Sequence, residues 1–191
     1  MTVRPIATIG DPVLRERAGE VSGDELRGSE IQRLIDDLVD TMRDASGSGL
    51  AATQVHERVR VAVIEVDRNR RYPYKPPIPL TVVVNPVIDR LDTEVFRNNE
   101  GCLSVPNLRG DVDRAVTIRV RYLDRHGVAH DEIKRGLTAG TFQHELDHLD
   151  GVLFVDRVTD PRSFSTWEQW DRHHRAAFVA RAEAFVARVG S

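Results

Sequence analysis

The sequence is poor in cysteine, and it contains no long apolar run. With a single cysteine, Cys102, the 191-residue chain cannot form an intramolecular disulfide, which excludes a disulfide-stapled secreted scaffold and favours a reducing compartment. No apolar run approaches the roughly 18 residues that a transmembrane helix needs. The first residues, MTVRPIATIG, also lack the basic and apolar regions of a signal peptide. These absences predict a cytoplasmic protein that does not contact a membrane.

The chain also lacks a large excess of charge. Lysine and arginine together number 27 and the acidic residues 30, so the formal net charge is −3. Without a basic excess, we expect no direct nucleic-acid site and no binding to anionic membranes. The length and the 40% hydrophobic content are typical of one globular domain, here residues 1–191, built on one core.

Hydrophobic periodicity predicts an α+β fold, in which small antiparallel or mixed sheets pack around a central helix over about 137–149, with one helix before them and another after them. The first long helix is predicted from Ser29, which has capping-box spacing to Gln32, to about Ala45. The other predicted elements are a short helix after Asp11, strands over 59–64, 80–84, 116–122 and 128–133, a proline-rich turn over 72–77, a turn over 125–127, and a final helix that Ser165 and Glu168 begin.

The predicted central helix contains an HExxH pattern, from His144 to His148. Residues four apart share one helix face, so both imidazoles can reach a single metal ion. Glu145 is rotated by about 100° and faces a water molecule beside the ion instead. This arrangement is typical of metal-assisted hydrolysis, in which the carboxylate moves a proton.

A catalytic ion held by a protein needs a third ligand and one open position. The metzincin pattern would place a histidine where this sequence has Phe154, which cannot ligate. Glu168 has gluzincin spacing, although a helix cap explains it as well. Cys102, in the segment EGCLS, would complete a Cys-His-His set. A structural site in a binding module is a further interpretation, but it needs a fourth protein ligand.

A glycine-rich segment, GSGLAATQ over residues 47–54, follows the first long helix. Its glycines let the backbone approach a ligand closely, and Ala51 and Ala52 place no bulky side chain in the way of Gln54. Taken alone, the segment is equally typical of a loop that ends a helix.

Together and in this order, the three motifs resemble the peptide deformylase family, whose signatures are GxGxAAxQ, EGCLS and HExDH. Residues 47–54, 100–104 and 144–148 match every fixed position of these signatures. Segments 9–15 and 151–157 are similar to the family as well. The resemblance therefore covers a core of about residues 5–158, and it leaves a helical extension over about 162–189 outside.

The resemblance implies roles for individual residues. The implied residues are the metal ligands Cys102, His144 and His148, the catalytic Glu145, the oxyanion donors Gln54 (side chain) and Leu103 (backbone N–H), the substrate contacts Gly49 and Arg109, and an arginine, Arg114, paired with Glu100.

The reaction that the resemblance implies is hydrolysis of the formyl group from the initiator methionine of a nascent polypeptide, with release of formate. The implied ion is Fe(II), with nickel, cobalt and zinc accepted, whereas the Cys and His ligands alone favour zinc. An HExxH metalloprotease and a deformylase of a formylated small metabolite remain alternatives. The final helix leaves a transient ribosome contact open, although packing on its own domain is favoured.

Helical geometry also predicts which residues shape the substrate pocket. Leu137, Gly140 and Thr141 lie seven, four and three residues before His144 and share its face. If the space beside Gly140 is open, the pocket is wider than a methionine side chain needs. We then expect side chains bulkier than methionine to be accepted, and Gly140→Ile to restore a methionine preference.

Overall fold

The computed structural model describes residues 2–67 and 74–190, and within them the fold is α+β with antiparallel sheets. The helices are α1 (Gly23–Arg27), α2 (Ser29–Asp44), α3 (Gly136–Leu149), α4 (Phe154–Arg157), α5 (Trp167–His173) and α6 (Arg175–Val189). The strands are β1 (Gly49–Ala51), β2 (Val61–Val66), β3 (Ile78–Arg90), β4 (Val95–Cys102), β5 (Val105–Ala115), β6 (Thr117–Leu123) and β7 (Ala129–Arg135). Short 3-10 turns lie at Pro12–Arg15, Ala52–Val55 and Pro161–Ser163.

Five strands form an antiparallel sheet in the order β1-β2-β3-β6-β7. In β2, Val61 and Val63 pack in one apolar cluster with side chains of α2, and Ala62 and Ile64 pack in another with side chains of α3. Neighbours on a strand point to opposite faces, so a strand that is covered on both sides needs an uninterrupted apolar run. The sheet therefore lies between α2 and α3.

A second sheet is the antiparallel hairpin β4-β5. Its residues Asn98 to Cys102 are polar or small, which gives them low strand propensity, and periodicity did not predict this hairpin. Val105 and Val112 of β5 pack with Leu153 and Phe154, which follow α3. The hairpin is thereby attached to the end of α3.

The four predicted strands are confirmed, and β3 extends to Arg90. The predicted turn over 125–127 is also confirmed, because it joins the paired strands β6 and β7, and Gly127 in it has φ +80°. The first long helix ends at Asp44, close to the predicted Ala45. Within the predicted proline-rich turn, residues 72 and 73 lie outside the described residues.

Two predicted helix caps are wrong, although α2 begins at Ser29 as predicted. Gly28, without a side-chain cap, precedes α2, and the capping box belongs to α1, where Ser22 and Glu25 form it. Near the C-terminus the cap is Thr166, whose side chain accepts a hydrogen bond from the backbone N–H of Gln169. The N-cap of this helix is therefore Thr166, one residue after the predicted Ser165.

The predicted single final helix is two helices, because the chain leaves helical geometry at His174 with φ −122° and ψ −28°. Trp170 of α5 and Phe178 and Ala182 of α6 are buried in a cluster with Phe96 and Leu137. These helices pack on their own domain. None of the helices in residues 2–67 and 74–190 is both long and apolar enough to cross a membrane.

Candidate metal centre and its cavity

Helix α3 holds the HExxH pattern on a largely buried surface. The rings of His144 and His148, one turn apart, have centroids separated by 5.1 Å. The helix ends at Leu149, and Gly151 follows with φ +72°. A Cβ at Gly151 would lie 2.6 Å from the carbonyl oxygen of Arg15. Glycine is required for this turn, which fixes the end of α3 against the N-terminal segment.

Cys102, the last residue of β4, reaches both histidines. One ligand atom from each of Cys102, His144 and His148 lies within 4.8 Å of the others, and Cys102 Sγ is 3.3 Å from His148 Nε2. Glu168, the competing third ligand, is exposed in the first turn of α5 and accepts a hydrogen bond from Arg172. The gluzincin-like alternative is therefore wrong, because the hairpin brings Cys102 to the histidines instead.

Glu100 lies buried behind these three residues and is bound from two sides. Arg114 donates from Nε and Nη2 to its two carboxylate oxygens, both at 2.8 Å, and His144 Nδ1 is 2.8 Å from Oε2. Burial alone would raise the pKa of Glu100, but the charge of Arg114 and the hydrogen bonds from Arg114 and His144 hold it well below its ordinary value. A carboxylate at Nδ1 fixes the imidazole with Nε2 available as a ligand atom. The sequence indicated the Glu100–Arg114 pair and missed the bond to His144.

The donor set fits a divalent transition metal. One thiolate and two imidazoles are an accepted set for a catalytic ion, and they leave a fourth position open. Burial lowers the pKa of His148 well below its ordinary value. Burial therefore favours the neutral form of this imidazole, which is the form that binds metals.

Gln54 is oriented toward the same point. It lies in the 3-10 turn Ala52–Val55, and the backbone N–H of Ala51 donates to its Oε1 at 2.9 Å. That bond directs Nε2 to the other side, where it donates to Ser104 Oγ at 3.0 Å and lies 3.6 Å from Cys102 Sγ. Leu103 follows Cys102 in the turn that joins β4 and β5. Gln54, one predicted oxyanion donor, therefore lies beside Cys102, and Leu103, the other, is the next residue in the chain.

Glu145 is buried next to Gly49 of β1. A Cβ on Gly49 would lie 2.3 Å from Glu145 Cδ, so the missing side chain at position 49 makes room for the carboxyl group. Burial raises the pKa of Glu145, while the charges of His144 and Lys75 act against that rise. A carboxyl group with a raised pKa both accepts and returns a proton near neutral pH more readily than an ordinary one.

Several of these residues line a cavity of about 330 Å³. We call the lining residues Gln54, Cys102, His144 and Glu145 its ligand end. We call Tyr74, Asn98, Gly140 and Thr141 its side-chain end, because Asn98 and Phe96 lie beside Gly140 and Tyr74 is in the same apolar cluster as Phe96.

Arg109 forms part of the cavity wall, and its guanidinium contacts two tryptophans. Its Cζ lies 4.1 Å from the ring centroids of both Trp167 and Trp170. Its Nε and Nη2 donate to Oδ1 and the backbone oxygen of Asn99, and Nη1 is buried with no hydrogen-bond partner among the described residues. The backbones of Arg109 and Ser165 also exchange two hydrogen bonds. The segment after the core thus builds one wall of the cavity, a contribution that the sequence did not indicate.

The three predicted pocket residues separate in the structure. Gly140 and Thr141 line the cavity, whereas Leu137 lies in the apolar cluster with Phe96 and Trp170. The space beside Gly140 is not open, because a Cβ there would lie 3.0 Å from Phe96 Cζ. Phe96 in turn stacks on Phe185 of α6, with ring centroids 4.6 Å apart. Gly140 accommodates this stack, so the premise of a wider pocket is wrong.

Lys75 and Asn98 line the cavity without having been predicted to. The signal for Lys75 was its rarity, since Lys75 and Lys134 are the chain's two lysines. A single rare residue in a proline-rich segment does not reveal which cavity it enters. The position of Lys75 depends on the packing of the preceding residue, Tyr74, with Phe178 of α6.

Comparisons with known proteins agree with this geometry. A family model described as Polypeptide deformylase matches residues 3–164. The peptide deformylase of Leptospira biflexa is 42% identical over 172 residues, covering 90% of this chain and 96% of that protein. Peptide deformylase 2 of a Nostoc species is 42% identical over 166 residues, covering 87% of this chain and 92% of that protein.

Solved structures give the same result. A Met-Ala-Ser-bound class I type b peptide deformylase from Acinetobacter baumannii is similar with a TM-score of 0.79 and 39% identity, over 82% of this chain and 99% of that one. An actinonin complex of a peptide deformylase from Synechococcus elongatus is similar with a TM-score of 0.74 and 34% identity, over 95% of this chain and 91% of that one.

Proposed function

The chain belongs to the peptide deformylase family and removes the N-formyl group of nascent peptides, and we propose that it does so with the residues of the ligand end. The observation that supports this assignment most is the meeting of Cys102, His144 and His148, whose ligand atoms lie within 4.8 Å of one another, beside the buried Glu145. Three separate segments of the chain supply the groups of the ligand end.

Cys102, His144 and His148 would hold one divalent ion, and we propose Fe(II), with zinc, nickel or cobalt as substitutes. When bound, such an ion supplies Lewis acidity, which lowers the pKa of a water molecule and polarises a carbonyl oxygen. Glu100 orients His144 for this purpose through Nδ1, and Arg114 keeps Glu100 ionised. Metal analysis of protein purified without oxygen, together with activity per equivalent of metal, identifies the ion.

Glu145 acts as the general base and then the general acid. Its carboxylate accepts a proton from the attacking water and returns it to the leaving amine, so that the amide bond breaks and formate is released. Burial raises the pKa of Glu145, which helps it to hold the proton between the two transfers. Gly49 allows the carboxyl group to occupy this position.

Gln54 and Leu103 stabilise the formyl oxygen as it gains negative charge. The Gln54 amide is already oriented by Ala51, so its Nε2–H donates without reorganisation. The Leu103 N–H is the second donor. One donor of this kind contributes about 3 kcal/mol, or roughly a hundredfold in rate.

The substrate is a formylated peptide, and we propose that Gly49, Arg109, Gly140 and Thr141 contact it. The similar peptide deformylase from Acinetobacter baumannii has a Met-Ala-Ser peptide bound in its crystal structure, which fits a substrate of this class. In this chain Arg109 Nη1 is a buried donor on the cavity wall, suited to a peptide carbonyl oxygen.

We also propose that residues 1–191 form one catalytic domain in which α3 is the central helix. Its support is that Ala139, Phe142, Leu146 and Leu149 pack with the five-stranded sheet, while Leu137 packs with the C-terminal helices.

The test uses formyl-Met-Ala-Ser and acetyl-Met-Ala-Ser with the metal-loaded protein. We expect release of formate from the first peptide and negligible hydrolysis of the second. A formyl carbon carries only hydrogen, so a tight pocket that accepts it excludes the methyl group of an acetyl. Glu145→Gln should keep its metal and lose at least about a hundredfold in kcat. Cleavage of internal peptide bonds, or more than about a tenth of kcat in Glu145→Gln, would contradict the assignment.

A further inference from the structure

Trp167 brings an aromatic ring from α5 to the wall of the cavity. It is half-buried and lines the cavity. Trp170, three residues later on the same helix, is buried in the cluster with Phe178 and is not among the lining residues. An indole ring offers a large apolar surface, so Trp167 is suited to contact an apolar group of a ligand in this cavity.

The start of α5 is attached to the hairpin β4-β5 by several contacts. The backbone N–H of Trp167 donates to Asn107 Oδ1 at 3.3 Å, and the backbones of Ser165 and Arg109 exchange two hydrogen bonds. The Trp167 ring itself lies 4.1 Å from Arg109 Cζ. These contacts position the ring without a ligand, so a ligand that binds to it pays little for ordering this part of the wall.

The Trp167 ring also approaches the strand that carries Cys102. A Cβ on Gly101, the residue before Cys102, would lie 3.2 Å from Trp167 Cζ2 and 3.4 Å from Arg109 Nη1. The missing side chain at position 101 therefore leaves room for the edge of the ring beside the end of β4. We call the lining residues Gly101, Pro106, Asn107, Arg109 and Trp167 the hairpin wall.

The hairpin wall and the side-chain end are built on different elements. Gly140 and Thr141 of the side-chain end lie on α3, whereas the hairpin wall belongs to β4, β5 and α5. A cavity of about 330 Å³ is of the size that encloses a small ligand, so it has room for more of a peptide than its first side chain. With the formyl group at the ligand end and the first side chain at the side-chain end, the hairpin wall is available to the residues that follow.

We propose, on the basis of the proposed function, that Trp167 binds the side chain of the second or third residue of the formyl peptide and selects a large apolar or aromatic one. Burial of apolar surface against the indole ring supplies the binding energy, and an aromatic side chain gains further from ring-to-ring contact. Trp167 is thereby a specificity residue that the segment after the core contributes to the cavity.

The experiment compares formyl-Met-Phe-Ala and formyl-Met-Ala-Phe with the reference substrate formyl-Met-Ala-Ala. For the unmodified, metal-loaded enzyme we expect kcat/KM to be about tenfold higher for at least one phenylalanine peptide than for the reference. The gain should come from a lower KM with little change in kcat, because the contact lies away from the reacting bond. Trp167→Ala should bring the ratio of kcat/KM to about one, and Trp167→Phe should retain most of it.

Trp170→Leu is the matched control. Both tryptophans have their rings 4.1 Å from Arg109 Cζ, but only Trp167 lines the cavity. A loss that acts through Arg109 should raise KM for all three peptides by the same factor. Trp170→Leu should therefore leave the phenylalanine-to-alanine ratio unchanged, whereas Trp167→Ala should abolish it.

A second measurement needs no variant. The deformylated peptides serve as inhibitors of the unmodified enzyme, and the preferred phenylalanine peptide should inhibit about tenfold more strongly than Met-Ala-Ala. Its binding should also change the tryptophan fluorescence, because it removes the ring of Trp167 from water. This measurement stands even if Trp167→Ala does not fold.

The outcomes separate this proposal from the proposed function. Hydrolysis of formyl-Met-Ala-Ala with a ratio of about one for both phenylalanine peptides overturns the role of Trp167 and leaves the deformylase assignment intact. A ratio that persists in Trp167→Ala, or that Trp170→Leu abolishes equally, does the same, and so does inhibition without a change in fluorescence. Failure to hydrolyse all three formyl peptides overturns the proposed function itself.

Discussion

The two ends of the cavity are stabilised in opposite ways. At the ligand end, Glu100 is bound by Arg114 and His144 at 2.8 Å, and Ala51 holds Gln54. At the side-chain end, aromatic packing lies behind the lining residues: Phe96 fills the space beside Gly140, and Tyr74 is buried in the same cluster as Phe96. A network of short hydrogen bonds tolerates little change, whereas a wall backed by apolar packing can vary in its chemistry. We therefore expect substitutions at the ligand end to affect turnover and substitutions at the side-chain end to affect substrate preference.

The largest effect is expected at the ligand end from Cys102→Ser. A hydroxyl is a much poorer ligand than a thiolate for a borderline or soft metal, so the variant should lose most of its metal and nearly all of its turnover. Metal content per chain and formate release measure this. Glu168→Gln is the control, and it should keep both properties because Glu168 is exposed and pairs with Arg172. Metal loss in the control would contradict the assignment of Cys102.

Arg114→Leu tests the hydrogen-bond network behind the ligands. The substitution leaves Glu100 buried without its ionic partner, which should lower the free energy of unfolding by about 3–5 kcal/mol. Denaturant unfolding of the metal-free protein gives this value. Arg119→Leu removes an exposed pair with Asp131 and should cost at most about 1 kcal/mol. Similar losses in both variants would show that burial of the Glu100 pair is not decisive.

Trp170→Leu tests the part of the cavity wall that Arg109 forms. Without the Trp170 ring the Arg109 guanidinium retains only its contact with Trp167, so we expect KM for formyl-Met-Ala-Ser to rise about tenfold with little change in kcat. Trp170→Phe retains an aromatic face and should recover most of the affinity. A fall in kcat with unchanged KM would show that Arg109 is not a substrate contact.

The smallest effect is expected at the side-chain end from Gly140→Ala. The new methyl group would lie 3.0 Å from Phe96 Cζ and 3.7 Å from Asn98 Nδ2, and the higher helix propensity of alanine, about 1 kcal/mol, offsets the close contact with Phe96. Stability should change by less than about 1 kcal/mol, and the ratio of kcat/KM for formyl-Phe to formyl-Met peptides should stay the same. A shifted ratio would return Gly140 to the role of a specificity residue.

The sequence alone determined the chemistry of the ligand end. His144, Glu145 and His148 are joined by helical spacing, and EGCLS and GSGLAATQ indicate their use through the family resemblance that the three motifs carry together. The strands of the five-stranded sheet were equally predictable, because β-branched runs covered on both faces leave a clear apolar pattern. Local patterns of this kind can be interpreted without knowing which tertiary contacts the segment makes.

Only the tertiary structure decided what surrounds the ligands. The polar hairpin β4-β5 has little strand propensity of its own, and it forms because Val105 and Val112 pack on the residues after α3. The placement of Trp167 and Trp170 on Arg109, of Phe96 beside Gly140, and of Lys75 in the cavity depends on contacts between segments far apart in the chain. Such contacts leave no periodic signal, because each depends on the volume and direction of partners that the fold alone brings together.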